Sequence, residues 1–157
     1  MNLEDLPITH TNVVPESWLD EMGHMNVMWY THLFSNAVHG FFSLFGFTGD
    51  YMRANQKGTF ALELHVRYLA EVRVGQRVTM RSRAVARSAK RLHYMQFMYN
   101  EDRGVLSATG ELVSAHVDMT TRRQDPMPEQ LTRAYDEILA KHQALPWAAP
   151  VCGTMRA

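Results

Sequence analysis

Apolar residues recur at three- and four-residue spacing in one uncharged stretch of the chain. No Asp, Glu, Lys or Arg lies between Met22 and Gly49. Gly46 falls near the end of this stretch, and glycine commonly ends a helix. Because a helix without charges can be buried on all sides, the pattern predicts a long central helix over residues 27–45. Its apolar positions follow the helical period: Val27, Tyr30, Phe34, Ala37, Val38, Phe41 and Phe45.

The pattern changes to a period of two after a short predicted helix at residues 50–55. Residues 60–68 alternate between apolar and polar, as in a half-buried strand. Three more strands of this kind are predicted at residues 77–87, 92–100 and 105–119, with short turns between them. Consecutive strands joined by short turns favour an antiparallel meander.

Two weaker segments flank this region. Residues 8–14 alternate weakly before Pro15 and predict a first strand, and Pro126 and Pro128 precede a polar-rich helix predicted over residues 129–142. An antiparallel sheet with one apolar face needs a cover, and only the uncharged helix is large enough. We therefore predict an α+β fold, with an antiparallel sheet wrapped around the central helix. It forms one domain over residues 1–157, with a core at about 8–127, a C-terminal helix at about 128–143 and a tail at 144–157.

Composition narrows the class of protein. Sixteen basic and sixteen acidic residues cancel, which favours neither a nucleic-acid-binding protein nor an acidic tail. The one cysteine, Cys152, has no partner for an internal disulfide, as is typical of a reducing compartment. The N-terminus is acidic and no apolar run follows it, so we predict a cytoplasmic protein. Residues 27–47 are about as long as a bilayer span but contain polar residues, among them His32, Ser35, Asn36, His39 and Ser43, which predicts a buried helix and no membrane association.

A cluster of polar residues precedes the central helix. Asp20, His24 and Asn26 bring a carboxylate, an imidazole and a carboxamide to its start. The N–H groups there carry partial positive charge and can stabilise an oxyanion. Each residue also has a structural interpretation: Asp20 as an N-terminal cap or loop carboxylate, His24 as a hydrogen-bonding anchor and Asn26 as the N-cap, which we favour over substrate contact. Gly23 suits a tight turn.

The same residues carry a family resemblance. The pattern Asp20-x-x-Gly23-His24-x-Asn26-x-x-x-Tyr30, between a strand and a helix, resembles the hotdog-fold acyl-CoA thioesterases of the 4-hydroxybenzoyl-CoA thioesterase type. Residues 63–68 followed by 75–78 are similar to that family's central strand, turn and next strand, and the resemblance covers about residues 8–127. It implies that Asp20 is the catalytic aspartate and that the N–H near Val27 polarises the thioester carbonyl. It also implies a site at the interface of a homodimer, or of a dimer of dimers that forms a homotetramer.

Thioester hydrolysis needs a nucleophile at the carbonyl carbon and donors for its oxygen. Asp20 could attack directly to give a mixed anhydride, or act as general base on water. His24 is the second catalytic candidate, Asn26 and Val27 lie at the donor site, and Gly23 and Tyr30 are candidates for substrate binding. No cofactor is expected, since coenzyme A is part of the substrate. No metal is expected either, because His32 and His39 lie about 10 Å apart along a helix and no HExxH or CxxC pattern occurs.

Half of the basic residues fall between Arg67 and Arg91, where Glu71 is the single acid. The odd-numbered arginines 77, 81, 83 and 87 are expected to share one strand face. Two interpretations stay open for this stretch. It is either a solvated face that discourages aggregation, or a positive patch for the phosphates of coenzyme A, formed by Arg81, Arg83, Arg87 and Lys90.

The leading hypothesis is therefore an acyl-CoA thioesterase for a short-chain, aryl or otherwise compact acyl group. Aromatic residues around the motif could also favour a trimethylammonium acyl group. The main alternative is a non-catalytic acyl-CoA-binding or sensor protein. A hydratase would need a differently placed His and Asp pair, which we do not find, and a nucleic-acid-binding module conflicts with the neutral charge.

Overall fold

The structure, a computed structural model, describes residues 1–157. Its long helix, α1 (Val27–Ser43), follows the first strand, β1 (Ile8–Val13), and a 3-10 turn at Glu16–Trp18. A short helix, α2 (Gly49–Asn55), precedes the main strands, β2 (Lys57–Tyr68), β3 (Arg77–Arg87), β4 (Arg91–Asn100) and β5 (Val105–Asp118). A two-residue strand, β6 (Arg123–Gln124), and a last helix, α3 (Glu129–Gln143), complete the fold. The predicted elements are confirmed, apart from small differences at their ends.

The six strands form one antiparallel sheet in the order β1-β3-β4-β5-β2, with β6 beside β5. The predicted meander is correct for β3, β4 and β5, but it is wrong for β2. β1 occupies the edge of β3, where Val13 pairs with Arg77, so β2 crosses to the far side and pairs with β5 instead. β2 is therefore an edge strand, and its other edge pairs with no strand.

The sheet curls around α1, as predicted. We call the face that packs on this helix the inner face and the opposite one the outer face. Leu33, Phe34 and Phe41 of α1 are fully buried. Two glycines permit close approaches between α1 and the sheet: a Cβ on Gly40 would lie 1.9 Å from the Thr9 carbonyl oxygen of β1, and one on Gly110 of β5 would lie 3.1 Å from the Phe34 ring.

The C-terminal segment covers both faces. Leu131 and Tyr135 of α3 join the inner-face core, and the Tyr135 hydroxyl donates to the His93 carbonyl at 3.1 Å. The tail then crosses the outer face, where Trp147 packs against Phe97. None of the helices combines the length and the apolar character that crossing a membrane requires.

Candidate active site

The loop that contains Asp20 folds back on this residue. Asp20 Oδ1 accepts hydrogen bonds from the N–H groups of Met22, at 2.9 Å, and His24, at 3.3 Å. Its own N–H donates to the His24 carbonyl, and Gly23 closes the turn with a φ of +79°. Asp20 Oδ2 accepts no hydrogen bond from the protein. The half-buried carboxylate is thus fixed through one oxygen while the other stays available.

The loop is fastened to the connection between β2 and β3. The Met25 N–H donates to the Val72 carbonyl at 2.8 Å, and His24 Nε2 lies 2.6 Å from Glu71 Oε2. A hydrogen bond from Arg73 lowers the pKa of the Glu71 carboxyl, with a smaller contribution from His24. The structure therefore directs the His24 imidazole at Glu71, and only the backbone of His24 bonds to Asp20. This arrangement makes His24 an anchor of the loop, while the catalytic role stays a prediction.

The start of α1 has one free donor. The Asn26 side chain accepts the Met28 N–H at 3.0 Å, and the Asn26 carbonyl accepts the Trp29 N–H at 2.9 Å. The predicted capping role of Asn26 is confirmed. The N–H of Val27 donates to no protein acceptor, and the Val27 side chain is exposed. One backbone donor at the positive end of the helix is thus available for an oxyanion.

A cavity of about 340 Å³ opens beside the same helix, between α1, β2 and β5. Thr31 and Ser35 line it and lie one and two turns after Val27, on one face of the helix. Leu64 and Thr59 form the opposite wall, and the Thr59 hydroxyl is buried without a partner. A larger cavity of about 530 Å³ lies under the tail near Arg83, among residues that do not belong to the Asp20 loop.

Aromatic rings surround the entrance to α1. Trp18 and Trp29 stack with their ring centres 4.4 Å apart, and His32 packs edge-on against both. Tyr30 is buried, and its ring meets Tyr68 of β2 at 5.1 Å in a T-shaped arrangement. Burial raises the pKa of the Tyr30 hydroxyl, although a hydrogen bond with the Val72 backbone opposes this effect. Tyr30 therefore packs in the core beneath the start of α1, and its predicted contact with substrate stays a prediction.

Three of the four arginines of β3 have protein partners for their side chains. Arg81 donates to the carbonyls of Leu3 and Leu6, and the buried Arg83 donates to the His142 carbonyl at 2.9 Å. Arg87 forms a two-pronged ion pair with Asp136, while Lys90 is exposed and reaches the Gln124 carbonyl at 3.3 Å.

The predicted common face of these arginines is wrong for Arg87. The pairing of β3 with β4 shifts between Ala84 and Ala86, so Arg83 lies opposite Met95 and Arg87 lies opposite Leu92. This bulge turns Arg87 to the inner face. The prediction of a solvated face is wrong for the buried Arg83. None of the four predicted phosphate-binding residues contacts the Asp20 loop.

The amino-acid sequence of the chain matches a known protein superfamily. The sequence model of the thioesterase-like superfamily matches residues 14–135. The chain belongs to this superfamily. A betainyl-CoA thioesterase of Pseudomonas aeruginosa is 30% identical over 87% of the chain and 85% of its own length. An L-carnitine dehydrogenase/betainyl-CoA thioesterase of Agrobacterium fabrum is 35% identical over 88% of the chain, which spans only 28% of that relative.

A solved structure agrees with the fold of this thioesterase-like chain. A hypothetical protein of Staphylococcus aureus, determined in complex with CoA, superposes with a TM-score of 0.82 and 26% identity, covering 91% of this chain and 90% of that one. The predicted hotdog fold is confirmed, and the prediction of a thioester hydrolase is confirmed at the level of the family. Glu71 and Val72 are the site residues that sequence reasoning missed, although Glu71 stood out as the single acid of a basic stretch.

Proposed function

We propose that the chain hydrolyses a CoA thioester with a compact acyl group that carries a trimethylammonium, as in betainyl-CoA. Two relatives with this activity in their names support the acyl group, and the CoA complex of a structural neighbour supports the carrier. The observation that supports hydrolysis concerns two groups at the start of α1. A carboxylate with an unbonded oxygen and a backbone N–H without an acceptor both lie at the start of α1.

The proposed reaction begins when the thioester oxygen accepts the Val27 N–H. In one route Asp20 takes a proton from water as the water oxygen bonds to the carbonyl carbon. The C–S bond then breaks, and the proton passes to the sulfur of coenzyme A. In the other route Asp20 bonds to the carbonyl carbon, the CoA thiolate leaves, and water cleaves the anhydride to the free acid. Both routes place negative charge on the same oxygen, beside the same donor.

The surroundings suit a small cationic acyl group. The cavity of about 340 Å³ is near the lower end of the range for ligand pockets. The indoles of Trp18 and Trp29 and the ring of Tyr68 offer aromatic faces at the helix start, where the loop also contributes the Asp20 charge. An acyl cation two bonds from the carbonyl carbon would lie within this region.

The proposed site includes a second copy of the chain. β2 presents twelve residues with one unpaired edge, and Leu62, Leu64 and Tyr68 are exposed there. An unpaired apolar edge is a template for strand pairing. A homodimer joined through β2 would enclose the cavity beside Leu64. Association of dimers into tetramers, the cytoplasmic location and the binding of CoA phosphates by Arg81 or Lys90 stay predictions.

The test is thiol release from a panel of CoA esters. Betainyl-CoA is compared with 3,3-dimethylbutyryl-CoA, which replaces the quaternary nitrogen by carbon and removes only the charge. Acetyl-CoA and benzoyl-CoA extend the panel, and Asp20→Asn is the inactive control. We expect kcat/KM for betainyl-CoA to exceed that for its neutral analogue by about 30-fold, which is the worth of a desolvated cation–π contact.

Two outcomes would contradict the proposal. Equal rates for the two analogues would contradict the proposed preference for a trimethylammonium group. The chain would then be a thioesterase for another compact acyl group. Tight binding of every ester without thiol release by the folded protein would favour the alternative, a non-catalytic acyl-CoA sensor.

A further inference from the structure

A second group of chemically active side chains lies on the outer face of the sheet. His65 of β2 pairs with Glu111 of β5, and the tail brings Cys152 over both. One ligand atom from each of the three residues lies within 4.8 Å of the others. An imidazole nitrogen, a carboxylate oxygen and a thiol sulfur thus converge from three separate parts of the chain.

Glu111 is the centre of this group. Its side chain is 1% exposed, and His93 Nε2 lies 2.8 Å from its Oε1. Its Oε2 accepts the Cys152 N–H at 2.6 Å and lies 4.0 Å from His65 Nδ1. No lysine or arginine pairs with this carboxylate. A buried carboxylate is costly unless a cation or strong hydrogen bonds compensate its charge.

We propose that His65, Glu111 and Cys152 bind a divalent transition metal ion of the zinc class. Zinc takes nitrogen, sulfur and carboxylate ligands in tetrahedral sites, with a water in the fourth position where only three protein ligands exist. Bond lengths of about 2.0–2.3 Å place the ligand atoms of such a site about 3.3–3.7 Å apart. The distances here exceed this by at most about 1.5 Å.

Of the two ligands that must move, Cys152 has one side-chain partner to release, the exposed Thr154 hydroxyl at 3.2 Å from Sγ. The His65 side chain is 46% exposed and Cys152 is exposed, so rotation of these side chains closes the site around the fixed Glu111 oxygen. His93 holds the other Glu111 oxygen, as an outer hydrogen-bond partner of a metal-binding carboxylate does. Pairing of the β2 backbone with a second copy would leave the His65 side chain on the outer face.

A bound ion would join β2, β5 and the tail. It would hold the segment around Cys152 against the sheet and compensate the buried charge of Glu111. This site is on the opposite face of the sheet from α1, so the inference does not depend on the proposed hydrolysis. It predicts a metal that stabilises the protein without taking part in turnover.

The test uses tag-free, reduced, metal-stripped protein and Zn²⁺ or Co²⁺ alone as the probe. We expect one ion per chain, a thiolate-to-cobalt charge-transfer band, and a rise of about 5 °C or more in Tm with Zn²⁺ at a hundred times its Kd. Cys152→Ser and His65→Gln should each weaken binding at least about tenfold. His39→Gln, at an exposed histidine on α1, is the matched control and should bind like the parent.

Three results would each overturn the site. They are the lack of stoichiometric binding tighter than about 10 μM, a cobalt spectrum without the thiolate band, and unchanged affinity in both ligand variants. Thermal unfolding of the metal-free variants, both altered at exposed positions, verifies that they fold. Hydrolysis by Cys152→Ser should match the parent, so a failure of the metal site and a failure of the enzyme proposal give different results.

Discussion

Two carboxylates, Asp20 and Glu111, show how differently the two sides of the sheet are built. Asp20 lies half-buried in a loop, is held by two backbone N–H groups through Oδ1, and has nothing bonded to Oδ2. Glu111 lies in the middle of β5, is 1% exposed, and has both oxygens bonded. A carboxylate with one oxygen unbonded can react, whereas one whose two oxygens are both held by the protein contributes to structure. We therefore expect the chemistry at the start of α1 and a structural role for the outer face.

The largest effect should come from the free donor beside Asp20. Val27→Pro deletes its N–H, and proline is well tolerated at the first helical position because its fixed φ suits the helix. Asn26 already has the extended ψ of 143° that a residue before proline prefers. We expect kcat to fall by about 10²–10³-fold, as for loss of one oxyanion donor.

Val27→Ala, which keeps the N–H, is the control and should retain most of the rate. Steady-state thiol release measures both variants, and circular dichroism verifies that α1 is intact. A proline variant as active as the alanine variant would contradict the role of this donor.

The opposite result is expected for the other carboxylate. Glu111→Ala leaves His93 and the Cys152 N–H without their acceptor in a buried place, so the free energy of unfolding should fall by about 3 kcal/mol. Asp20→Asn keeps an oxygen for the Met22 N–H and should cost less than about 1 kcal/mol. Denaturant titration of metal-free protein measures both changes. Equal losses of unfolding free energy from the two substitutions would contradict the assignment of a structural role to Glu111 alone.

A smaller effect should follow from loosening the Asp20 loop. His24→Gln removes the 2.6 Å contact between the imidazole and Glu71 but keeps the backbone N–H that Asp20 accepts. If His24 is an anchor, kcat/KM should fall by about tenfold and its pH profile should keep its shape.

The profile separates this role from the catalytic one predicted from the sequence. A rate loss above about 10³-fold together with a lost limb of the pH profile would indicate proton transfer by His24. Arg73→Gln, which removes the other partner of Glu71, should give an intermediate rate.

The smallest effect concerns pH and the docking of α3. His142 Nδ1 accepts the Ala84 N–H at 2.8 Å, where β3 extends past the end of β1. Burial, and to a lesser degree Arg83, lowers the pKa of His142 to about 4. The unfolded chain binds this proton near pH 6.5 and the folded one resists it, so the stabilisation is complete above about pH 6.5 and declines as the pH falls towards 4.

Denaturant titrations of the parent and His142→Asn across this range measure the effect. The stability of the parent should fall more steeply than that of the variant between pH 6.5 and 4. Parallel curves would show that His142 does not titrate with folding.

Sequence reasoning predicted the elements with the strongest periodicity and the residues with local roles. The uncharged helix, the strands of β3 to β5 and the Asn26 cap depend on neighbours within a few positions, which the sequence displays directly. It did not predict that β2 pairs with β5, because strand order depends on which edges are already occupied. The bulge that separates Arg83 from Arg87 was equally invisible, since residues 84–86 are all apolar and show no alternation that would mark the extra residue.

The sequence by itself determined that a charge-free helix must be buried by a sheet, and that a carboxylate lies at the start of that helix. Those properties follow from residue type and spacing along a few turns. Only the tertiary structure decided what each charged group meets. It paired His24 with Glu71, engaged three arginines of β3 with the N-terminal segment and α3, and brought His65, Glu111 and Cys152 together. Such contacts join residues far apart in the chain, and the free energy of a charge depends on those contacts.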